Sequence, residues 1–240
     1  MRDPSTRPGS LDRGAVSGAR TRARHCGRRW LGGLGGAILL ALAGAADGAA
    51  ESASADGWAA LRALRSRLES QTQAADFVQE YVPAGFSSGD RETGRLTLAL
   101  PRCLRWDYDE PFPKSYLLCE ERVWTWNPGE SSGRTFEIDA QEERGLDLLR
   151  LGVERLAERY TAELVGDPGA ATSIRLEPLG PAAEISVATL TLSADGGGLA
   201  ELSYRDVEGN TTRFEFGGQR PLAAGAADLS PPRELTWIED

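Results

Sequence analysis

The chain has 240 residues, of which 26% are charged and 40% are apolar, and this composition excludes disordered and collagen-like proteins. Its charge is uneven: residues 1–45 contain eight arginines and two aspartates and carry +6, while the whole chain carries −9. Residues 46–240 therefore carry −15, which excludes a basic nucleic-acid-binding body, because phosphate contacts need clustered positive charge. The one histidine, His25, lies in the basic leader, so no histidine-based catalytic or metal site is predicted for the body. We also predict no cofactor.

The leader has the features of an export signal. An apolar run over 30–46 follows the arginines, and it is shorter than the roughly 20 residues that a membrane-spanning helix needs. It ends in Ala43-Gly44-Ala45, which suits a signal peptidase, and no cysteine lies at the cleavage point for lipid attachment. We expect cleavage of 1–45, export to the periplasm, a flexible segment over 46–56 and one domain over 57–240. A retained membrane anchor is the alternative.

Hydrophobic periodicity predicts a mainly β domain with a few helices (α+β). Apolar residues at helical spacing predict an amphipathic helix from Asp56 to Leu68. Helical spacing returns over 142–160, where Gly145 and Gly152 divide it into short pieces. Alternating patterns and turn residues predict strands at 77–82, 94–100, 104–108, 116–119, 123–126, 134–138, 161–165, 173–177, 185–192, 199–205 and 211–216. Their even spacing indicates an antiparallel meander of about ten or eleven strands, forming one large curved sheet or half-barrel with helices packed on it.

Two cysteines flank a predicted turn. A hairpin centred on Pro111 places Cys103 directly opposite Cys119, and opposed antiparallel residues lie within reach of a disulfide. We therefore predict a disulfide across this hairpin. A register slip of one residue would instead leave two free cysteines on opposite faces of the sheet.

Catalytic chemistry is poorly supported. Asp107 and Asp109 are two residues apart on a predicted strand and share a face, as an acid/base pair would. The alternative is a solvent-facing edge opposite the apolar face of the same strand. The glycines at 196–198 precede a strand, whereas a phosphate loop leads into a helix. We predict that the protein is not an enzyme, with a secreted hydrolase that uses these two carboxylates as a distant alternative.

Apolar binding is better supported. Large apolar side chains accumulate on neighbouring predicted strands, namely Leu96, Leu98, Leu104, Trp106, Tyr108, Trp124 and Trp126. These residues form either an ordinary core or the lining of an incompletely filled cavity for an apolar ligand.

Several segments, taken in order, resemble one family. The segment Leu100–Pro111 resembles the R-P-x-x-F-x-W-x-Y-x-x-P signature of the periplasmic outer-membrane lipoprotein carriers, the LolA family. The other similar segments are Phe77–Gln79, Gly94–Leu98, Val123–Pro128, Ile174–Pro178, Leu190–Leu192, Asp206–Phe216 and Leu229–Pro232.

The resemblance implies an unclosed antiparallel barrel with a helical lid over an apolar cavity. It also implies a monomeric carrier that takes acylated lipoproteins from an inner-membrane ABC transporter and passes them to the outer membrane or to a receptor there. Leu104, Trp106, Tyr108 and Leu117 match cavity-lining positions of the family. The segment Leu146–Leu151 resembles part of the lid, with Leu148, Leu149 and Leu151 as its apolar residues.

One position departs from the family pattern. The family has an arginine before the motif proline that tethers the lid, and here that residue is Leu100. Arg102 and Arg105 are the nearby candidates for the tether. The same fold also serves lipid-anchored lipoprotein receptors, envelope sensors and glycolipid binders. The missing lipid-attachment cysteine argues against the first of these, and a lipid-binding or sensor protein stays as the main alternative.

Overall fold

The computed structural model describes residues 45–138, 147–166, 171–180 and 184–239. The predicted export signal lies outside these residues, apart from its last position. Within them the chain forms three helices: α1 (Ala45–Glu69), α2 (Asp147–Arg150) and α3 (Val153–Ala157). The twelve strands are β1 (Gln73–Val82), β2 (Asp90–Ala99), β3 (Cys103–Glu110), β4 (Lys114–Cys119), β5 (Arg122–Trp126), β6 (Ser132–Glu137), β7 (Tyr160–Val165), β8 (Ser173–Pro178), β9 (Ile185–Leu192), β10 (Leu199–Asp206), β11 (Thr211–Pro221) and β12 (Thr236–Glu239).

All twelve strands belong to one curved, unclosed sheet. Their order is β12-β6-β5-β4-β3-β2-β1-β11-β10-β9-β8-β7, so β12 and β7 are the two edges and do not pair with each other. The predicted antiparallel meander is confirmed in two runs, β1–β6 and β7–β11, which are joined where β1 pairs with β11. The short strand β12 was not predicted, and it pairs with β6 in the parallel direction.

The three helices cover the concave face of this sheet. Helix α1 packs against β7, β8, β2 and α3. Its approach to β7 depends on Gly57, because a Cβ atom there would lie 2.8 Å from the carbonyl oxygen of Ala162. The helix begins at Ala45, so it includes the segment 46–56, for which the prediction of flexibility stays a prediction. Alanine has the highest helix propensity, and the alanine-rich sequence continues the helix towards the N-terminus.

The outer face of the sheet carries a different cover. Residues 222–235, here called the strap, follow β11 and lead across β3 and β4 to β12. The Leu222 N–H donates to the Thr72 carbonyl at the start of the strap, and the Thr236 N–H donates to the Ser131 carbonyl at its end. The sheet is therefore covered by helices on one face and by irregular chain on part of the other. Among the described residues, no helix is long and apolar enough to cross a bilayer.

Candidate functional site

An aromatic cluster forms the centre of the concave face. Trp106 on β3 is only 2% exposed, and its ring centroid lies 4.9 Å from that of Phe77 and 4.9 Å from that of Phe214. Phe77 also meets Tyr108 edge-on at 4.9 Å. Such edge-to-face packing fixes aromatic rings relative to one another. The cluster therefore joins β3 to β1 and β11 across the intervening strand β2.

Five of the predicted binding residues lie together on this face. Cross-strand pairs put Leu96 opposite Trp106 and Leu98 opposite Leu104, and directly opposed residues point to the same face. Tyr108 completes the set, and all five are buried in one apolar cluster with the leucines of the helices. The structure thus brings Leu96, Leu98, Leu104, Trp106 and Tyr108 together.

The other three predicted binding residues point to the outer face, so their placement beside Trp106 is corrected. Trp106 pairs with Tyr116, whereas Leu117 pairs with Arg105 on the opposite side of the sheet. The next hairpin pairs Leu117 with Trp124 and Ser115 with Trp126, which keeps both tryptophans on the outer face. Side chains alternate between the two faces along a strand, so the register of each hairpin decides which face a residue occupies. The aromatic character of a residue does not decide it. Tyr116, Leu118 and Val123 occupy the concave side instead.

On the outer face, Arg105 holds the strap. Its Nη1 donates to the Asp228 carbonyl at 2.8 Å, and its Nε lies 2.9 Å from a carboxylate oxygen of Asp107. The guanidinium also lies 5.2 Å from the centroid of the Trp126 ring, and Ser115 donates to Asp107 at 2.7 Å. Asp107 is therefore engaged in a structural network, and the exposed Asp109 is outside it.

The predicted disulfide is present beside this network. Cys103 and Cys119 are directly opposite in the β3–β4 pair, with Cα atoms 4.2 Å apart and the sulfurs bonded. The Sγ of Cys119 lies 3.9 Å from the Leu229 carbonyl of the strap. The disulfide therefore belongs to the outer face and not to the concave one.

The predicted lid residues pack into the concave face rather than over an empty cavity. Residues 147–157, here called the lid, bury Leu148, Leu149, Val153 and Leu156, and Leu151 is partly buried beside them. The space that remains between the lid and α1 is about 10 Å³, about what one water molecule needs and far too small for an acyl chain. In this conformation the predicted apolar cavity is filled by the leucines of the protein itself.

The lid is tethered by Arg65, which was not among the residues predicted from the sequence. This side chain of α1 is 7% exposed, and its two Nη atoms donate to the carbonyl oxygens of Leu149 and Arg150. These carbonyls lie at the C-terminal end of α2, where helix carbonyls lack a partner within the helix. Burial lowers the pKa of Arg65, and the ion pair with Glu69 at 2.9 Å opposes that shift. The spacing of Arg65 with Leu61, Leu64 and Leu68 indicates that its side chain is buried, but it does not indicate what the side chain contacts.

Neither predicted tether contacts the lid in this way. Arg105 holds the strap, and Arg102 is exposed at the β2–β3 turn. A second link to the lid comes from Arg150, whose Nη1 donates to the Glu120 carbonyl at 3.0 Å. Helix α2 is thus held by hydrogen bonds from both sides as well as by the packing of Leu148 and Leu149.

Polar groups lie at one end of the concave face. The Tyr108 hydroxyl donates to Gln79 at 2.6 Å, and Lys114 lies 4.5 Å from the centroid of the Tyr108 ring while it pairs with Glu92 at 2.6 Å. Burial, and then the nearby Glu92 charge, raises the pKa of the Tyr108 hydroxyl. This tyrosine therefore acts as a neutral hydrogen-bond donor.

Comparison with known proteins identifies one family. The profile described as "Outer membrane lipoprotein carrier protein LolA" matches residues 69–229. An outer-membrane lipoprotein carrier protein of Xanthomonas campestris pv. campestris (strain B100) is 28% identical over 155 residues, which cover 63% of this chain and 73% of that protein. Among solved structures, an uncharacterized conserved protein from Thermus thermophilus matches with a TM-score of 0.50 at 12% identity, covering 77% of this chain and 99% of that one, and it shows the fold alone. The Pseudomonas aeruginosa MucA/MucB complex matches with a TM-score of 0.45 at 17% identity, covering 76% of this chain and 63% of that one.

Proposed function

The chain belongs to the outer membrane lipoprotein carrier (LolA) family, and on that premise we propose that it binds the acyl chains of lipoproteins on its concave face and carries them between the two membranes. The observation that carries this proposal is the apolar concave face beneath a lid that is held by packing and hydrogen bonds. When the lid moves away, an acyl chain can take the place of the lid leucines on this face.

Two opposing free-energy terms govern such an exchange. Each methylene moved out of water is worth about 0.8 kcal/mol, so a long acyl chain gains on the order of 10 kcal/mol. Opening the lid removes Leu148 and Leu149 from the same face and breaks the bonds from Arg65. These opposing terms favour capture and release without a chemical step, so the proposed role needs no catalysis.

One buried atom supports an acylated ligand rather than a plain hydrocarbon. The indole Nε1 of Trp106 is buried and has no hydrogen-bond partner among the described residues. An unpaired buried donor costs roughly 1–3 kcal/mol. The ester or amide carbonyl at the head of an acyl chain would accept this hydrogen bond, and a hydrocarbon would not.

The remaining parts of the proposal concern location and partners. We place the protein in the periplasm as a non-enzymatic monomer. It would receive lipoproteins from an inner-membrane ABC transporter and deliver them to the outer membrane or to a receptor there. These steps follow the role that the curated relative's name describes, outer-membrane lipoprotein carriage.

The test is native mass spectrometry of protein purified from the periplasm under mild conditions, followed by incubation with a triacylated lipopeptide. We expect a co-purifying or added acylated ligand on the wild type and its loss in Trp106→Glu. Trp124→Glu is the matched control, because Trp124 points to the outer face. An apo mass without uptake would contradict the proposal, and binding of phospholipid or glycolipid alone would favour a lipid-binding or sensor protein.

A further inference from the structure

Three large apolar side chains are exposed at the tips of neighbouring turns. Phe86 is 72% exposed on the β1–β2 turn, Phe112 is 73% exposed on the β3–β4 turn, and Val207 is 65% exposed on the β10–β11 turn. The registers place these turns at one end of the sheet: Tyr81 pairs with Asp90, Thr93 with Glu110, and Val82 with Thr211. We call this end the turn platform, made of 83–89, 111–113 and 207–210.

Single exposed apolar residues are common on soluble proteins, but here three of them lie together. The exposed large apolar residues in the described parts of the chain number six, and the three most exposed of them lie on the turn platform. Two of its turns are linked directly, because the Ala84 N–H donates to Asn210 Oδ1 at 3.0 Å.

The chemistry of the turns differs from that of the rest of this acidic protein. Residues 83–89 and 111–113 contain no charged side chain, and prolines flank Phe112 on both sides and restrict its backbone. Directly behind the tips, the half-buried Tyr81, Tyr116 and Tyr204 form a second layer. Tyrosine is enriched at membrane–water interfaces, where its ring lies in an apolar region and its hydroxyl meets water.

We propose that the turn platform docks on the surface of a lipid bilayer, with Phe86, Phe112 and Val207 entering the interfacial region. Separate convex tips suit a deformable lipid surface, whereas a folded protein would need a recess for each of them. Acidic residues flank the turns, among them Asp90, Glu110 and Glu208, so a strongly anionic surface is repelled. The platform therefore selects a bilayer of low negative charge. This inference does not depend on the acyl-chain proposal, because the turns and not the concave face carry it.

The test is co-sedimentation of the purified protein with phosphatidylcholine vesicles and with vesicles that also contain phosphatidylglycerol. We expect binding to the first and weaker binding to the second. Phe86→Ser or Phe112→Ser should lose partitioning about tenfold, since each removes an aromatic ring that enters the bilayer on docking. Leu164→Ser is the control, because Leu164 is exposed on β7 near the opposite end of the sheet. Neutralising Glu110 and Glu208 to glutamine should reduce the discrimination against phosphatidylglycerol.

Two outcomes would overturn the inference. One is that the wild type does not bind vesicles. This outcome overturns the inference even if Phe112 proves to be needed for binding a protein. The other is binding by Phe86→Ser and Phe112→Ser that equals the wild type, with thermal unfolding showing that all variants are folded. Lipopeptide uptake in the mass-spectrometric assay is expected to persist in Phe112→Ser, so failure of platform docking and failure of acyl-chain binding are separate results.

Discussion

Phe77 and Gly94 face each other across the β1–β2 pair, and the missing side chain at Gly94 provides the space for the Phe77 ring. A Cβ atom at Gly94 would lie 2.7 Å from the Phe77 ring and 2.1 Å from the Asp107 carbonyl oxygen. The contacts of Phe77 with Trp106 and Tyr108 therefore depend on a glycine one strand away.

The first prediction concerns this space. Gly94→Ala should lower the free energy of unfolding by about 1–3 kcal/mol, the usual cost of overpacking, as measured by urea denaturation. Gly217→Ala is the control, because its Cβ would meet no atom within 4 Å. Equal stability of the two variants would show that both the Phe77 ring and the Asp107 carbonyl can move away from the added methyl group at little cost.

The second prediction concerns the lid tether. Arg65→Met should leave the buried carbonyls of Leu149 and Arg150 without donors, at a cost of roughly 1–3 kcal/mol. Amide hydrogen exchange should speed up selectively over 148–156. Arg65→Lys should restore this only in part, because one ammonium group does not reproduce the fork of a guanidinium.

The exposed Arg62 on the same helix offers a matched control for the tether. Arg62→Met should leave exchange over the lid unchanged. If Arg65→Met also leaves it unchanged, the lid is held by packing alone.

The third prediction separates the strap from the lid. Arg105→Ala removes the contacts to Asp107, Asp228 and Trp126, so limited proteolysis within 222–235 should become faster. Lid exchange should not change, because Arg105 lies on the outer face. Arg102→Ala, at an exposed position, should change neither the proteolysis of the strap nor the hydrogen exchange of the lid. Faster lid exchange in either variant would show that the substituted arginine does tether the lid.

The fourth prediction concerns the disulfide. Replacing Cys103 and Cys119 together by alanine should cost about 3 kcal/mol of unfolding free energy, since their separation of 16 residues sets the loop that the cross-link closes. Lipopeptide uptake in native mass spectra should persist, because both cysteines lie on the outer face. Loss of uptake in a variant that is folded would place the disulfide in the binding mechanism.

Local patterns in the sequence predict most of this fold. Alternation in segments such as Leu96–Leu100 identifies strands, and the turn at Pro111 fixes the pairing of Cys103 with Cys119. Both features depend on neighbouring residues, so they can be read without knowledge of distant contacts. The pairing of β1 with β11 is different, because it joins Phe77 to Phe216 across most of the chain.

The candidate site was predicted only in part for the same reason. Trp124 and Trp126 were assigned to the wrong face because aromatic character does not report the register set by the turn after Cys119. Arg65 lies 84 residues from Leu149, and no local pattern links a helix side chain to so distant a carbonyl. Strand β12 has only four residues, and it pairs in parallel with a strand that is distant in sequence. No hairpin turn in the sequence therefore predicts this pairing.

The position of β12 also bears on self-association. By pairing with β6, it covers backbone groups that would otherwise form an open edge, and open edges invite pairing between molecules. The covering strand is short and ends in Glu239, which lies 3.7 Å from Arg122, so the new edge is charged. Strand β12 thus reduces the tendency of this unclosed sheet to aggregate through the edge of β6.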